Sequence, residues 1–377
     1  MFVAWRDLRF AKGRFALMGA VVVLITLLVG LLSGLTEGLA RENTSAITGL
    51  PADHLAFAAP PEGRSVSFTN SLVPRRAWQE WAGRPGVTSA QPIGISTLNA
   101  TAGERAAAVS AFGVEPDSGI APDGVAPGRA VLSEKAADEL GAGVGDRVRL
   151  GGGGGGGDGG GSGSESGSGG VQVRVVRVAS DASFSHTPVV WISLDDWQRL
   201  GHRGTSGDEQ ATVIALRTGG GADLAAGDEA AGTETKSLDG ALTAIGSYQA
   251  ENGSLQLMRG FLFVISALVI GAFFTVWTIQ RGADIAVLKA LGASTAYLLR
   301  DALGQAVAML VAGTAVGTGI AVVVGGAVSG GDVPFVLEPS TVLWPAAVMI
   351  ALGAVGAGLS VRRITAVDPL VALGSAR

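Results

Sequence analysis

The sequence predicts an α-helical membrane protein with four transmembrane helices, arranged as one plus three, and an α+β extracytoplasmic domain inserted between helices 1 and 2. Of the 377 residues, 47% are apolar and only 16% are charged, a balance typical of membrane proteins. Four apolar runs are long enough to cross a hydrocarbon core of about 30 Å. One long polar segment separates the first run from the other three, and it becomes the inserted domain.

The pattern of apolar runs divides the chain into segments. The first run is longer than the apolar region of a cleavable signal peptide, which is about 7–15 residues, so we expect a retained membrane anchor. In chain order we predict an N-terminal amphipathic helix (1–14), the first span (15–36), the extracytoplasmic domain (37–257), the second span (258–280), a cytoplasmic coupling segment (281–300), the third span (302–329), an outer loop (330–340), the fourth span (341–361) and a cytoplasmic tail (362–377).

The basic residues predict the orientation in the cell membrane, because short cytoplasmic segments are enriched in Lys and Arg. The N-terminal arm is basic, and the segment between the second and third spans carries Arg281, Lys289 and Arg300. The loop between the third and fourth spans carries only the acidic residues Asp332 and Glu338. We therefore expect both termini in the cytoplasm and residues 37–257 outside, with the lipid bilayer around the spans.

Alternation of apolar and polar residues predicts the elements of the inserted domain. Ser133 is a candidate N-cap, Gly141 a helix stop, and helical spacing from Leu238 onward predicts one long helix that enters the second span. The predicted helices otherwise cover 75–81, 133–140 and 194–200. The predicted strands cover 66–69, 88–98, 107–112, 147–150, 171–178, 189–193 and 212–216.

Composition excludes several kinds of site. The chain has no Cys, which excludes disulfides and thiolate metal sites, and a net charge of −5 without a long basic run argues against nucleic-acid binding. The three His residues are scattered without metal-ligand spacing, so we predict neither a metal site nor catalytic residues. The Gly/Ser-rich segment 151–170 lacks the Lys of a phosphate-binding loop and precedes a strand, so we interpret it as a flexible loop.

Glycines repeat every four residues near the outer end of the first span, at Gly30, Gly34 and Gly38. Small residues at this spacing let helices approach closely. We interpret the repeat as a packing surface, which could lie across a dimer axis. The alternative is that Gly is simply frequent in membrane helices.

The segment between the second and third spans predicts a short helix that binds protein. Val287, Leu288 and Leu291 share one helical arc with Asp284, so the helix is not cleanly amphipathic, as a helix lying on lipid would be. Gly292 would end this helix in a left-handed conformation. The alternative interpretation is a solvated connecting turn.

Three stretches resemble the FtsX/MacB-like ABC transporter permeases: residues 281–294 (RGADIAVLKALGAS), residues 362–373 with Asp368-Pro369, and residues 4–12. The resemblance covers the membrane portions well and the inserted domain only loosely. Asp284 stands where the family usually has Glu. The resemblance implies a homodimer of permease chains and two copies of a separate ABC ATPase subunit, which brings ATP and Mg, with no cofactor on this chain. It further implies that Asp284, Ile285, Leu288, Lys289 and Leu291 contact the ATPase and that Gly292 ends the coupling helix.

Within this family, the compact outer domain and residues 9–15 look most like the haem-exporting HrtB branch. Haem needs an apolar slot and an axial donor near the outer membrane face. Glu37 and Met258, at the mouths of the first two spans, and Tyr248, on the helix leading to the second, are the candidates. Solvation for Glu37, and packing for Met258 and Tyr248, are the alternative interpretations.

Two functions follow from the resemblance. The first is the permease subunit of an ATP-driven exporter for a hydrophobic or amphipathic molecule, with haem a candidate. The alternative is an FtsX-like transducer that activates a cell-wall hydrolase or signalling partner outside the membrane without transport. A membrane enzyme is disfavoured, because no catalytic or metal-ligand spacing occurs.

Overall fold

The computed structural model describes residues 12–151, 170–202, 209–280, 287, 291–328 and 333–365. The chain divides into two compact units. We call the first, Met1–Leu39 with Gly253–Arg377, the membrane unit, and the second, Ala40–Asn252, the inserted domain. Several predicted segments lie partly outside the described residues, among them residues 1–11 of the N-terminal helix (1–14), 152–169 of the Gly/Ser-rich loop (151–170), most of 281–290 in the coupling segment (281–300), and 366–377 of the tail (362–377).

The described elements alternate between long apolar helices and a strand-rich middle. The helices are α1 (Lys12–Thr48), α2 (Arg75–Ala82), α3 (Glu134–Leu140), α4 (Leu194–Trp197, followed by a π-helical turn), α5 (Leu224–Ala231), α6 (Leu238–Ala241, followed by a 3₁₀ turn), α7 (Gly246–Gln280), α8 (Thr295–Val328) and α9 (Pro339–Thr365). The strands are β1 (His54–Ala58), β2 (Val73–Pro74), β3 (Val87–Ala102), β4 (Arg105–Val114), β5 (Arg129–Ser133), β6 (Arg147–Leu150), β7 (Val171–Ala179), β8 (Ser183–Phe184), β9 (Thr187–Ser193), β10 (Gln210–Ala211), β11 (Val213–Thr218) and β12 (Thr233–Ser237).

A small closed barrel forms the centre of the inserted domain. The strands pair in the order β3-β4-β9-β5-β7-β6, and β6 pairs back to β3 to close the ring. β3 is 16 residues long, and its first half pairs instead with β11, which continues to β1 and β12. One apolar cluster lies around Leu132, Val148 and Trp197, and a second around Phe57, Phe112 and Trp191.

Local sequence signals set several elements of this domain. Ser133 caps α3, since its hydroxyl accepts a hydrogen bond from the Ala136 N–H, and Gly141 ends the helix with a φ of +60°. These two predictions are confirmed. The strands predicted at 88–98, 107–112, 147–150, 171–178, 189–193 and 212–216 are confirmed as β3, β4, β6, β7, β9 and β11.

Two predicted elements are wrong. Residues 66–69 are irregular and enter a turn at Phe68 rather than forming a strand, because the Phe68 N–H donates to the Ala244 carbonyl at 3.3 Å instead of to a neighbouring strand. Val66 and Phe68 are buried in the second apolar cluster. The helix predicted from Leu238 into the second span is interrupted, since Ile245 is extended (φ −84°, ψ 109°) and α7 begins only at Gly246. β1, β5, β12 and α5 were not predicted.

The membrane unit consists of the apolar parts of α1 and α7 together with α8 and α9. Each of these four helices is long and apolar enough to cross a membrane. Their shared core contains Met18, Val22, Phe274, Leu310 and Met349, all at most 5% exposed. The outward faces of the same helices carry large apolar side chains, such as Leu268 at 68% exposure.

Candidate functional site

Of the predicted coupling segment (281–300), the structure describes residues 287 and 291–300. Val287 is helical, the Leu291 N–H donates to the Val287 carbonyl at 3.0 Å, and Gly292 has a φ of +94°. The side chains of Val287 and Leu291 are 54% and 79% exposed. Asp284, Ile285, Leu288 and Lys289 lie outside the described residues. An exposed apolar residue before a left-handed Gly can present a helix end to a protein partner.

The glycine repeat of α1 packs within the same chain. A Cβ added at Gly30 would lie 3.0 Å from the Ala321 Cβ of α8. At Gly38 it would lie 1.9 Å from the Pro334 carbonyl oxygen. Only glycine therefore fits at Gly38 without movement of the backbone of the segment before α9. The role of Gly30, Gly34 and Gly38 across a dimer axis stays a prediction.

Phe335 lies between two glycines of different helices. A Cβ at Gly34 would lie 2.4 Å from its ring, and a Cβ at Gly325 of α8 would lie 2.3 Å from it. The Val336 N–H also donates to the Gly34 carbonyl at 3.1 Å, which joins this segment to α1 by a backbone hydrogen bond. The Phe335 ring occupies space that is free because Gly34 and Gly325 have no side chains, so α1 and α8 approach closely there.

The three candidate ligand residues fall in both units. Glu37 is half-buried and Met258 is 53% exposed, both in the membrane unit. Tyr248 belongs to the inserted domain, where it packs against the second apolar cluster. Exposure leaves the Met258 thioether accessible, whereas packing already occupies the Tyr248 ring. Their role as ligands stays a prediction.

A polar cluster that was not predicted joins the C-terminal end of α1 to the N-terminal end of α7 within the inserted domain. His186 Nε2 lies 2.9 Å from both carboxylate oxygens of Glu251 on α7 and 2.9 Å from Nδ2 of Asn43 on α1. Asn43 Nδ2 donates to Glu251 at 3.0 Å, and its Oδ1 accepts from the Ser247 hydroxyl at 2.6 Å. On the other side, Glu42 accepts from Lys135 Nζ at 2.5 Å. We call Glu42, Asn43, Lys135, His186, Ser247 and Glu251 the polar cluster.

The backbone of the turn between β8 and β9 holds His186 in place. Ser185 and His186 have φ angles of +51° and +65°, in the left-handed region that is uncommon for side chains with a Cβ. Their N–H groups donate to the carbonyls of Asn43 and Glu42, both at 3.1 Å. This turn therefore binds the last turns of α1 while its imidazole contacts α7. No local sequence signal marks this turn, because His186 is 143 positions from Asn43 and 65 positions from Glu251 in the sequence.

The arrangement of the described residues defines a class of protein. One apolar helix, a large inserted domain and three further apolar helices make a multi-pass membrane protein. Two family models match the chain: the MacB-like periplasmic core domain over residues 16–233 and the FtsX-like permease C-terminal domain over residues 257–369. The chain belongs to the FtsX/MacB-like family of ABC transporter permeases, and its inserted domain is the extracellular domain of that family. The resemblance recognised in the sequence is confirmed.

Full-length relatives carry permease names. A protein of Staphylococcus haemolyticus, provisionally named hemin transport system permease protein HrtB, is 26% identical over 99% of both chains. Its counterpart in Staphylococcus epidermidis is 24% identical, also over 99% of both chains. An uncharacterised ABC transporter permease of Mycobacterium bovis is 25% identical over the same share of each chain. The similarity to the HrtB-like branch therefore extends through the inserted domain.

Two solved structures share a distant likeness to the inserted region. The extracellular domain of the noncanonical ABC-type transporter YknZ from Gram-positive bacteria is 12% identical, with a TM-score of 0.33, over 49% of this chain and 98% of that one. The periplasmic region of MacB from Actinobacillus actinomycetemcomitans is 13% identical, with a TM-score of 0.34, over 51% of this chain and 92% of that one.

Proposed function

We propose that this chain is the permease subunit of an ATP-driven ABC exporter that expels a hydrophobic or amphipathic molecule, with haem as the first candidate. The observation that carries the proposal is similarity over 99% of the chain to permeases named for hemin transport, together with matches to both family models. The alternative, a transducer without transport, has no observation in its favour beyond the family.

The proposed topology has α1, α7, α8 and α9 crossing the bilayer, with both termini in the cytoplasm. Length and apolar composition support the four spans. The basic residues Arg281, Lys289 and Arg300 support a cytoplasmic position for the segment between α7 and α8. An open apolar groove of about 790 Å³ between α7 and α9, lined by Phe263, Leu268, Val355 and others, needs lipid or a second permease chain to cover it.

Coupling to a separate ATPase subunit is proposed for residues 284–292. The exposed Leu291 before the left-handed Gly292 supports this role, because an apolar side chain that is 79% exposed gains stability by entering a protein socket. Two copies of the ATPase would bring ATP and Mg to a homodimer of this chain. ATP hydrolysis would change the spacing of the two coupling helices, and α7 would carry that movement toward the inserted domain.

The coupling role predicts a specific loss of activity. The pair Leu288→Asp and Leu291→Asp places two charges in the proposed socket, so we expect ATP hydrolysis by the reconstituted complex to fall by about tenfold or more, since a buried unpaired charge costs several kcal/mol. Leu72→Asp, at a Leu that is 51% exposed in the inserted domain, is the matched control and should hydrolyse ATP at the normal rate. Normal hydrolysis in the double variant would contradict the coupling role.

The substrate is tested separately. We expect haem to stimulate ATP hydrolysis by the complex in lipid nanodiscs, and Glu37→Gln or Met258→Leu to weaken that stimulation while basal hydrolysis stays normal. A deletion strain should also grow poorly under haem stress. Unimpaired growth would exclude haem as the physiological substrate, and a defect in cell separation would favour the transducer instead.

A further inference from the structure

Four exposed arginines lie side by side on the outer face of the barrel. Arg174 of β7 is the direct partner of Arg147 on β6 and of Arg129 on β5. Arg149 is two residues along β6 from Arg147 and so shares its face. All four side chains are exposed, and the residues that alternate with them, such as Val148, Val173 and Val175, are buried inside the barrel. We call Arg129, Arg147, Arg149 and Arg174 the arginine patch.

Like charges directly opposite each other on neighbouring strands destabilise a sheet. Here three guanidinium groups stand in one row across three strands that are about 4.8 Å apart. The repulsion occurs in a protein whose net charge is −5, where carboxylates are the more abundant charged groups. A row of cations without interleaved acids works against folding, so a role in binding would explain its presence.

Within the described part of the chain, no carboxylate forms an ion pair with the patch. The only side-chain hydrogen bond of the patch among these residues runs from Arg174 Nε to the Gly145 carbonyl at 3.2 Å. The acidic residue next to Arg147 is Asp146, and its carboxylate accepts from the Gly143 N–H at 2.8 Å. Near Arg129, the buried Asp196 is held by Ser193 and Arg199. The guanidinium groups of the patch thus keep most of their donors for a partner.

Shape and residue type indicate the kind of partner. The outer face of a closed barrel is convex, whereas proteins that hold flexible polyanions use grooves that follow the chain. Arginine has a planar fork that binds carboxylates in pairs of hydrogen bonds, and all four cations are Arg rather than Lys. β5 ends at Ser133, close to Lys135 of α3, which forms an ion pair with Glu42 of α1. Arg129 is at the opposite end of β5, so the patch lies at the end of this strand that is away from α1.

We propose that the arginine patch is the docking surface for an acidic protein outside the membrane. The partner would present several Asp or Glu side chains on one face. Each carboxylate would accept charge-assisted hydrogen bonds from a guanidinium group and so offset the repulsion between neighbouring arginines. The proposal concerns an extracellular partner and does not depend on which molecule the permease exports.

Binding of a carboxylate polymer tests the proposal with the full-length chain in nanodiscs of uncharged lipid. We expect saturable binding of fluorescently labelled poly-L-glutamate that weakens as NaCl is raised. The pair Arg147→Gln and Arg174→Gln should weaken this binding by about tenfold, as expected for the loss of two complementary charges. The matched control, Arg64→Gln with Arg76→Gln, removes two exposed arginines outside the patch and should bind within about twofold of the parent.

Folding and partner class are controlled in the same experiment. The patch variant should unfold at the same temperature as the parent or higher, because it removes repulsion. If the patch variant unfolds at a lower temperature, binding is measured instead with the single variant Arg149→Gln, whose affinity for poly-L-glutamate should fall by about threefold. No saturable binding, or an equal loss in the control pair, would overturn the proposal. Binding of inorganic polyphosphate without binding of poly-L-glutamate would overturn an acidic protein as the partner. ATP hydrolysis should be unchanged in all variants, so failure here leaves the permease assignment intact.

Discussion

The inserted domain and the membrane unit use apolar side chains in opposite ways. Among the described residues of the inserted domain, Leu72 and Val144 are the exposed large apolar side chains. The described helices of the membrane unit expose many, including Leu24, Leu268 and Leu359, each above 60%. The inserted domain excludes water by filling a barrel, whereas the membrane unit packs its helices tightly inside and leaves its outer surface to lipid or protein.

This difference shows where each unit is sensitive to substitution. In the inserted domain, stability depends on large side chains that fill space, such as Trp81 and Trp197. In the membrane unit, it depends on side chains that are absent, because Gly30, Gly34 and Gly38 create the contact between helices. Removing volume should therefore damage one unit, and adding volume should damage the other.

The largest expected effect is that of Trp197→Ala in the inserted domain. Trp197 is 1% exposed, its ring fills the space above Gly94 and Gly113, and its Nε1 donates to the Ser96 hydroxyl at 3.0 Å. We expect a loss of about 3–5 kcal/mol in the free energy of unfolding, from the lost burial and the cavity left behind. This loss is measured by unfolding the full chain in denaturant, with the protease resistance of the inserted domain as the readout.

Trp344→Ala in the membrane unit is the matched control. This side chain is 64% exposed on α9, so its removal leaves no cavity and should change the unfolding of the inserted domain by less than about 0.5 kcal/mol. If Trp197→Ala and Trp344→Ala lowered the free energy of unfolding equally, the contrast between buried side chains of the inserted domain and exposed side chains of the membrane unit would be contradicted.

An intermediate effect is expected for Gly34→Ala in the membrane unit. The added Cβ would meet the Phe335 ring, so we expect destabilisation of about 1–3 kcal/mol, seen as a lower thermal midpoint in detergent. Gly19→Ala on the same helix has its nearest contact at 3.9 Å and should instead stabilise α1 by about 0.5–1 kcal/mol. Phe335→Ala in the Gly34→Ala background should restore part of the loss. If Gly34→Ala and Gly19→Ala shifted the thermal midpoint in the same direction, close packing at Gly34 would be contradicted.

The smallest effect is expected for Asn43→Ala in the polar cluster. This change removes hydrogen bonds to Ser247 and Glu251, and we expect a loss of about 1 kcal/mol because the neighbouring groups remain within reach of water. Hydrogen–deuterium exchange should rise in the first turns of α7, around 246–252. Gln249→Ala, at an exposed position of the same helix, should leave exchange there unchanged, and a rise in both variants would contradict a specific role for the cluster.

The parts of the fold that could be predicted are those with local causes. The Ser133 cap, the Gly141 stop and the strands on both sides of the Gly/Ser-rich segment follow from neighbours in sequence. β1 was missed because its pairing partners, β11 and β12, lie far along the chain. The interruption at Ile245 was missed because the apolar spacing of Leu238 and Leu242 continues through it.

The candidate sites divide in the same way. The coupling segment could be proposed from sequence because its residues are consecutive, and the glycine repeat because its spacing is regular. The polar cluster depends on a turn that places His186 in a left-handed conformation against two helices, and no short window of sequence records that contact. The arginine patch depends on strand register, since Arg129, Arg147 and Arg174 become neighbours only when β5, β6 and β7 pair.

The register of β6 and β7 has a practical consequence for labelling this protein. Leu150 and Val171 are directly paired, so any chain that joins them has only to span the gap between neighbouring strands. The entropy cost of closing such a connection grows with the logarithm of its length, at about 0.6 kcal/mol for each doubling. A fluorescent protein inserted between these two residues should therefore leave the barrel folded, which would allow the permease to be followed in living cells.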